Sequence, residues 1–163
     1  MRTVQFGVLL LVQSDNFNMK DTVPECFYRI SAKALVLNES RDQFLIIQED
    51  DGRWDLPGGG LEWGVTPQDD VPREIAEEMG LVTISVSKNP SYFLTFSHSR
   101  TGTWMANVLY ETVLENLDFV SSRECTAVKF VDAQSAEGLV LHTNVEKLLQ
   151  VFDATLHMKE KTE

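Results

Sequence analysis

The segment from Asp55 to Gly64, DLPGGGLEWG, constrains the fold of this chain more than any other. Three successive glycines behind a proline suit neither a helix nor the interior of a central strand, so the backbone here must be an irregular loop. The next residues are of the opposite kind. Thr66-Pro67 reads as a helix start, with threonine at the N-cap and proline at the first helical position, and Asp69 falls near the positive end of the helix dipole. Gly80 is a left-handed terminator, so the helix should run from Pro67 and stop there. Pro72 sits inside it, lacks a backbone donor, and is expected to kink the helix or delay its regular start, at about 3 kcal/mol in a regular interior.

Strand-like stretches surround this loop and helix. Phe27 to Leu37 (FYRISAKALVL) and Phe44 to Gln48 (FLIIQ), separated by NESRDQ, read as two paired strands with a turn. Val82 to Val86, Tyr92 to Phe96, Trp104 to Leu114 and Ala127 to Val131 are further strands. Asn144 can cap a last helix, in which Val145, Leu148, Leu149, Phe152 and Leu156 recur at spacings of three and four. Strands before, between and after two helices define an α/β chain with a mixed β-sheet. At 163 residues there is room for one ordinary domain. We divide it into residues 1–26, an N-terminal strand and connector of the same domain, a main body over 27–158, and a charged tail over 159–163.

The apolar run Val4 to Val12 is far shorter than the roughly 20 residues needed to span a bilayer. The polar QSDNFNMK comes after it with no small-x-small cleavage site, so a soluble N-terminal strand is the expected form rather than a secretory signal. Such a strand can complete the sheet of a monomer or pair with a second subunit in a homodimer. Two cysteines, Cys26 and Cys125, build neither a disulfide framework nor a C-x-x-C pair. These features make a cytoplasmic location the default.

Fourteen basic against 25 acidic side chains give a net charge of −11, which argues against a nucleic-acid-binding or anionic-membrane-binding surface. The excess is not evenly spread. Between residues 49 and 81, ten acids against two bases leave −8. On the helix, Glu74, Glu77 and Glu78 stand at i, i+3 and i+4, within an arc of roughly 100°, and Asp70 falls on the same side. Val71, Ile75 and Met79 take a neighbouring arc. A solvated face is the ordinary reading of a bare E-x-x-E-E. Here, however, the carboxylates adjoin a glycine loop able to offer backbone groups at close range, a suitable frame for a hard divalent cation and a phosphate.

Gly59 to Leu81, GGLEWGVTPQDDVPREIAEEMGL, resembles the Nudix box, G-x5-E-x7-R-E-U-x-E-E-x-G-U with U aliphatic. Gly59, Arg73, Glu74, Ile75, Glu77, Glu78, Gly80 and Leu81 are in register, and Leu56-Pro57-Gly58 fits the usual lead-in. The resemblance implies a Nudix-type α/β/α sandwich. It also implies hydrolysis of a diphosphate in a nucleotide-like small molecule, with Mg²⁺ or Mn²⁺ as cofactor. Glu77 and Glu78 would be metal ligands, with the carbonyl of Gly59 as another. Glu74 would be a ligand or the general base, and Arg73 would hold the carboxylates in position. Such a cluster suits phosphoryl transfer, which needs chiefly positioning and charge stabilisation. Glu124, six residues before Phe130, is the candidate for a further acidic ligand from a late loop, ahead of Glu111 and Glu115. Arg53, Trp54, His98 and Arg100 are candidates for substrate contact, the last two from the polar loop SHSRTGT; Trp54, Trp63, Phe96 and Trp104 offer rings that could stack a base.

One departure from the box stands out. Val65 occupies the position of its first glutamate, and Glu62 is the acid in the loop that could compensate. The substitution motivates an alternative, a catalytically weak or inactive nucleotide-binding or sensor module. An isomerase of prenyl diphosphates shares the fold, but neither cysteine sits where a catalytic role for it is legible.

Overall fold

The computed structural model describes residues 26–158. The expected N-terminal strand at 4–12 and the charged tail at 159–163 lie outside the described residues. In chain order the elements are β1 (Arg29–Leu35), β2 (Phe44–Gln48), β3 (Trp54–Asp55), α1 (Pro67–Met79), β4 (Thr83–Val86), β5 (Tyr92–Ser97), β6 (Trp104–Leu114), β7 (Ala127–Val131) and α2 (Thr143–Val151), with a 3-10 turn at Ala154–His157 after them. Among the described residues no helix is long and apolar enough to cross a membrane.

Two sheets form, one of four strands around β6 and one of three in the order β3-β2-β7. β6 is the spine because its 11 residues are long enough to serve several partners. β1 runs parallel to it from Arg29 opposite Met105 to Leu35 opposite Glu111. β5 pairs antiparallel with its first half, and β4 further along, with a bulge between Thr83 and Ser85. The sheet is therefore mixed, as its sequence pattern indicates.

The expected hairpin of β1 with β2 does not form. The two strands belong to different sheets and meet only at one bridge, Leu37 with Phe44, beside a hydrogen bond from Leu45 N to Val36 O of 2.8 Å. The reason is that both edges of β1 are already taken. β6 holds one, and the glycine loop holds the other, accepting from Ala32 N at Gly59 O (3.0 Å) and from Ala34 N at Pro57 O (2.9 Å). A strand with two satisfied edges has no donors left for a hairpin partner.

Successive side chains of β1 and β2 point to opposite faces, and both faces are buried. Ala32, Ala34, Leu45 and Ile47 pack with Val71 and Ile75 of α1. Leu35, Phe44 and Ile46 pack instead with Val145 and Leu148 of α2. Strands thus lie between a helix on each side, which is the expected α/β/α sandwich. This also explains why both strands read as nearly continuous apolar runs rather than as alternating ones.

α1 runs over the predicted residues and ends at Gly80, which takes the left-handed conformation (φ 66°) and donates its N–H to Ala76 O. Pro72 leaves the carbonyl of Gln68 without its helical donor, yet α1 continues past it without interruption because Val71, Ile75 and Met79 are fully buried and tie both sides of it to the core. α2 begins two residues earlier than expected, with His142 rather than Asn144 at the cap position. Leu156 lies in the 3-10 turn and is 72% exposed, so the apolar stripe of α2 ends before it.

Asp132, just beyond β7, closes a turn by accepting from Ser135 N (2.7 Å) and Ser135 Oγ (2.8 Å), and it accepts from Gln43 Nε2 (3.0 Å) at the start of β2. These donors, Gln43 first and then Ser135, hold its carboxyl down at about 2, below the ordinary 3.8. A depressed folded-state value contributes stability above the unfolded value and loses it as pH falls through the folded one. Urea unfolding at pH 5 and at pH 2.5 should therefore show a larger loss for the wild type than for Asp132→Asn. Equal losses would show that this carboxylate does not contribute.

Candidate active site

The site is assembled around the peptide of Gly58. Its N–H donates to Glu78 Oε2 of α1 (2.8 Å), and its carbonyl accepts from the ammonium of Lys33 in β1. Lys33 also donates to Leu56 O (2.9 Å) and pairs with Asp55 Oδ2 (3.1 Å). Asp55 in turn accepts from Asn144 Nδ2 of α2. One buried lysine thereby joins β1, the glycine loop and, through Asp55, the second helix. Burial works against its charge, but Asp55 and Glu78 outweigh that, so Lys33 is held above its ordinary value. Asp55 is held below its own, because Lys33 and Asn144 overcome its burial. Lys33, Asp55 and Asn144 are site residues that the sequence pattern does not single out; the one legible signal is a single lysine within the apolar run SAKALVL.

The geometry bears unevenly on the expected residues. Glu78 is 8% exposed, and burial pushes its carboxyl up to about 7, against the opposing effect of Lys33 and the Gly58 N–H. Glu74 is half-buried, and its carboxyl lies against Gly59 so closely that a Cβ at that glycine would fall 2.4 Å from it. Glu77 is exposed. Arg73 binds both outer glutamates, Glu74 Oε1 at 2.5 Å and Glu77 Oε2 at 2.8 Å, as a guanidinium fork can. The carbonyl of Gly59 accepts from Ala32 N, which leaves one lone pair for another partner. Glu124 is exposed, in a loop that Ser122 ties to the carbonyl of Glu78 (2.8 Å). Asp70, expected on the exposed acidic side, is instead fully buried. Glu62 is exposed.

All these donors are hard oxygens, the set that suits Mg²⁺ or Mn²⁺. Glycine at 59 leaves the space that the Glu74 carboxyl occupies, so loop and helix fit such an ion together. A second group has no counterpart in the sequence pattern: Glu49, Asp51 and His142 each bring a ligand atom within 4.8 Å of the others. Part of that closeness is a direct contact, His142 Nε2 to Glu49 Oε2 at 3.2 Å.

Beside this group a cavity of about 220 Å³ opens between β1, β5, β6 and the start of α2. His98 and Arg100 line it, as do Lys33, Phe96, Asn107 and Asn144. Asn107 is 1% exposed, and its Oδ1 has no partner among the described residues. Such an atom costs free energy unless something donates to it. The other two substrate candidates are elsewhere. Trp54 is 9% exposed in the core facing α2, where its indole is used for packing and is not free to stack a base. Arg53 sits in the β2–β3 turn and pairs with Asp51 at 3.7 Å. Of the remaining rings, Phe96 lines the cavity, Trp63 is fully exposed, and Trp104 packs edge-on against Tyr28. Cys125 is buried, and burial together with the nearby Glu78 raises its thiol to about 11, which removes it as a nucleophile.

The family model described as NUDIX domain matches residues 27–153, a span that holds the loop, α1 and the cavity. A protein of Bacillus subtilis (strain 168), described as a candidate 8-oxo-dGTP diphosphatase, is 42% identical over 53 residues, 32% of this chain and 36% of that protein. The match thus spans about a third of that relative's length. Among solved structures, a MutT protein from Methanosarcina mazei Go1 superposes with a TM-score of 0.66 at 23% identity, over 83% of this chain and 100% of that one. An ADP-ribose pyrophosphatase from Streptococcus suis 89-1591 gives 0.60 at 23% identity, over 84% and 97%.

Gly58 is the position this architecture can least spare. Its φ is +105°, and an added Cβ would stand 2.6 Å from Ala32 O and 3.1 Å from Lys33 Cα, both backbone atoms that cannot turn aside. Gly58→Ala should cost strain of order 1–3 kcal/mol, with a comparable overpacking term of roughly 1–3 kcal/mol. Urea unfolding measures this, and a loss within about 0.5 kcal/mol, the range of an ordinary surface substitution, would contradict it.

Proposed function

The chain belongs to the Nudix family, and on that footing we propose that it is a pyrophosphohydrolase of nucleotide-like small molecules. Mg²⁺ or Mn²⁺ would be held by Glu74, Glu77 and Glu78, with the carbonyl of Gly59 and the Glu124 carboxylate completing the set. The observation that carries this reading is the contact between loop and helix: Glu78 on the Gly58 N–H and Glu74 against Gly59. It gathers backbone and carboxylate oxygens in one place. When bound, the cation supplies neutralisation of the diphosphate and acidification of the attacking water.

The protein's own groups divide the remaining work. Arg73 sets the spacing of Glu74 and Glu77, and Lys33 fixes the loop whose Gly59 carbonyl would hold the cation. The cavity, of about 220 Å³, receives the planar end of the substrate. Phe96 offers it a ring, and Asn107 Oδ1 an acceptor for an amino or imino hydrogen. His98 and Arg100 stand at the same cavity to meet the phosphate or ribose. The similarity to a nucleotide diphosphatase and to the fold of an ADP-ribose pyrophosphatase supports a nucleoside diphosphate linked to a further group as the substrate class. Without a carboxylate at position 65, Arg73 still has acidic partners at Asp70, Glu74 and Glu77.

A panel of nucleoside triphosphates and nucleotide sugars, assayed for phosphate and nucleoside monophosphate with and without Mg²⁺ or Mn²⁺, tests the proposal. Turnover should require the metal, and Glu78→Gln should reduce it by at least about 10²-fold, as loss of a group that stabilises transition-state charge does. Glu49→Gln, in the second carboxylate group, should leave metal dependence unchanged. In Glu74→Gln, lost turnover with intact Mn²⁺ affinity would identify a base, and loss of both a ligand. A folded protein that binds a nucleotide tightly and turns over none of the panel would refute the enzyme reading.

A further inference from the structure

The geometry points to Asp70 as a positioning residue that sets Arg73, and through it the outer carboxylates of the metal site. Asp70 is 0% exposed. Its Oδ1 accepts from Arg73 Nη2 at 2.6 Å and from Nε at 3.2 Å, while its Oδ2 is buried with no partner among the described residues. An acid in such a place is costly. Desolvating an ion takes several kcal/mol, and an apolar residue of similar size often packs there at no loss. Val71 and Ile75 of the same helix are fully buried in the core facing α1, and Asp70 is buried as completely as they are. What the carboxylate provides that an aliphatic cannot is a fixed direction for the guanidinium.

That direction matters because Arg73 is the hub of the outer carboxylates. Held from behind by Asp70 one helical turn away, it presents Nη1 to Glu77 and Nη2 to Glu74. The unpartnered Oδ2 means that, among the described residues, no other donor competes for this carboxylate. The acidic residue that could compensate in the loop, Glu62, is exposed, whereas the buried acid on Arg73 is supplied from inside the helix.

The inference rests on the proposed metal-dependent activity, and its test separates the two. Mn²⁺ affinity is measured by titration calorimetry, together with kcat and KM, on the wild type, Asp70→Asn, Arg73→Lys and the double variant, with thermal unfolding as the check on folding. Asp70→Asn keeps the shape and removes the charge; Arg73→Lys keeps the charge and removes the fork. Each should weaken Mn²⁺ binding by about 10–100-fold, the usual effect of losing a group that orients metal ligands, with kcat falling and KM little changed. The double variant should be no worse than the poorer single, because both act through one contact. Wild-type affinity in Asp70→Asn, or additive losses in the double variant, would overturn the assignment. Should Asp70→Asn not fold, Arg73→Lys decides alone: its guanidinium is partly exposed, and unchanged Mn²⁺ affinity there overturns the inference as well. A wild type that binds Mn²⁺ but turns over nothing refutes the hydrolase reading and leaves the Asp70 test readable through affinity. A wild type that binds no Mn²⁺ refutes both.

Discussion

The rest of the structure depends on the peptide group of Gly58, gripped from two sides. On one side the Lys33 ammonium takes its carbonyl, and on the other the Glu78 carboxylate takes its N–H. Neither contact is available to a flexible loop in water, where the peptide would exchange both partners for solvent. Burial makes them decisive. Lys33 retains its charge because Asp55 stands beside it, and Asp55 is steadied by Asn144 at the start of the second helix. The glycine loop is thus held by β1, α1 and α2 at once, and it occupies the edge of β1 that a hairpin partner would otherwise use.

This construction explains why so acidic a segment folds at all. Ten acids lie between residues 49 and 81, and like charges on neighbouring turns repel by a few tenths of a kcal/mol each. The structure separates them by function and environment. Asp55 is paired with a buried lysine, Glu78 is buried against a backbone donor, Asp70 and Glu74 share Arg73, and Glu77 faces outward with the same arginine. A single guanidinium with several donors can serve three carboxylates, which a lysine could not do in fixed geometry.

Much of this is legible in the residues. The loop, the limits of α1, the course of β6 and β7, and the placing of Arg73 beside Glu74 and Glu77 come from local rules: glycine and proline punctuation, a left-handed stop, alternation, and i,i+3/i+4 neighbours on a helix. The departures from expectation are of another kind. β1 and β2 look like a hairpin because nearness in sequence is the default for paired strands, and no local signal shows that the loop takes the free edge of β1. Trp54 looks like a ring available for stacking, because a tryptophan beside a glycine loop carries no mark of which side of the strand it faces. Asp70 counts with the exposed acids by helical spacing alone, which puts it near their arc.

What the sequence determined by itself was the chemistry: hard oxygen donors in fixed helical register beside a loop that only glycine can form, within an α/β chain. Periodicity and backbone sterics act within a few residues, so they can be read without a fold. What only the tertiary structure decided was which of those groups are buried and what faces them. Lys33 and Asp55 are 22 residues apart, and Asp55 and Asn144 are 89 apart. The cavity that the buried Asn107 lines exists only because β1, β5, β6 and α2 enclose a space together. Charge, hydrogen bonding and desolvation at such positions depend on the environment the packed chain creates, and that environment is not a property of any segment taken alone.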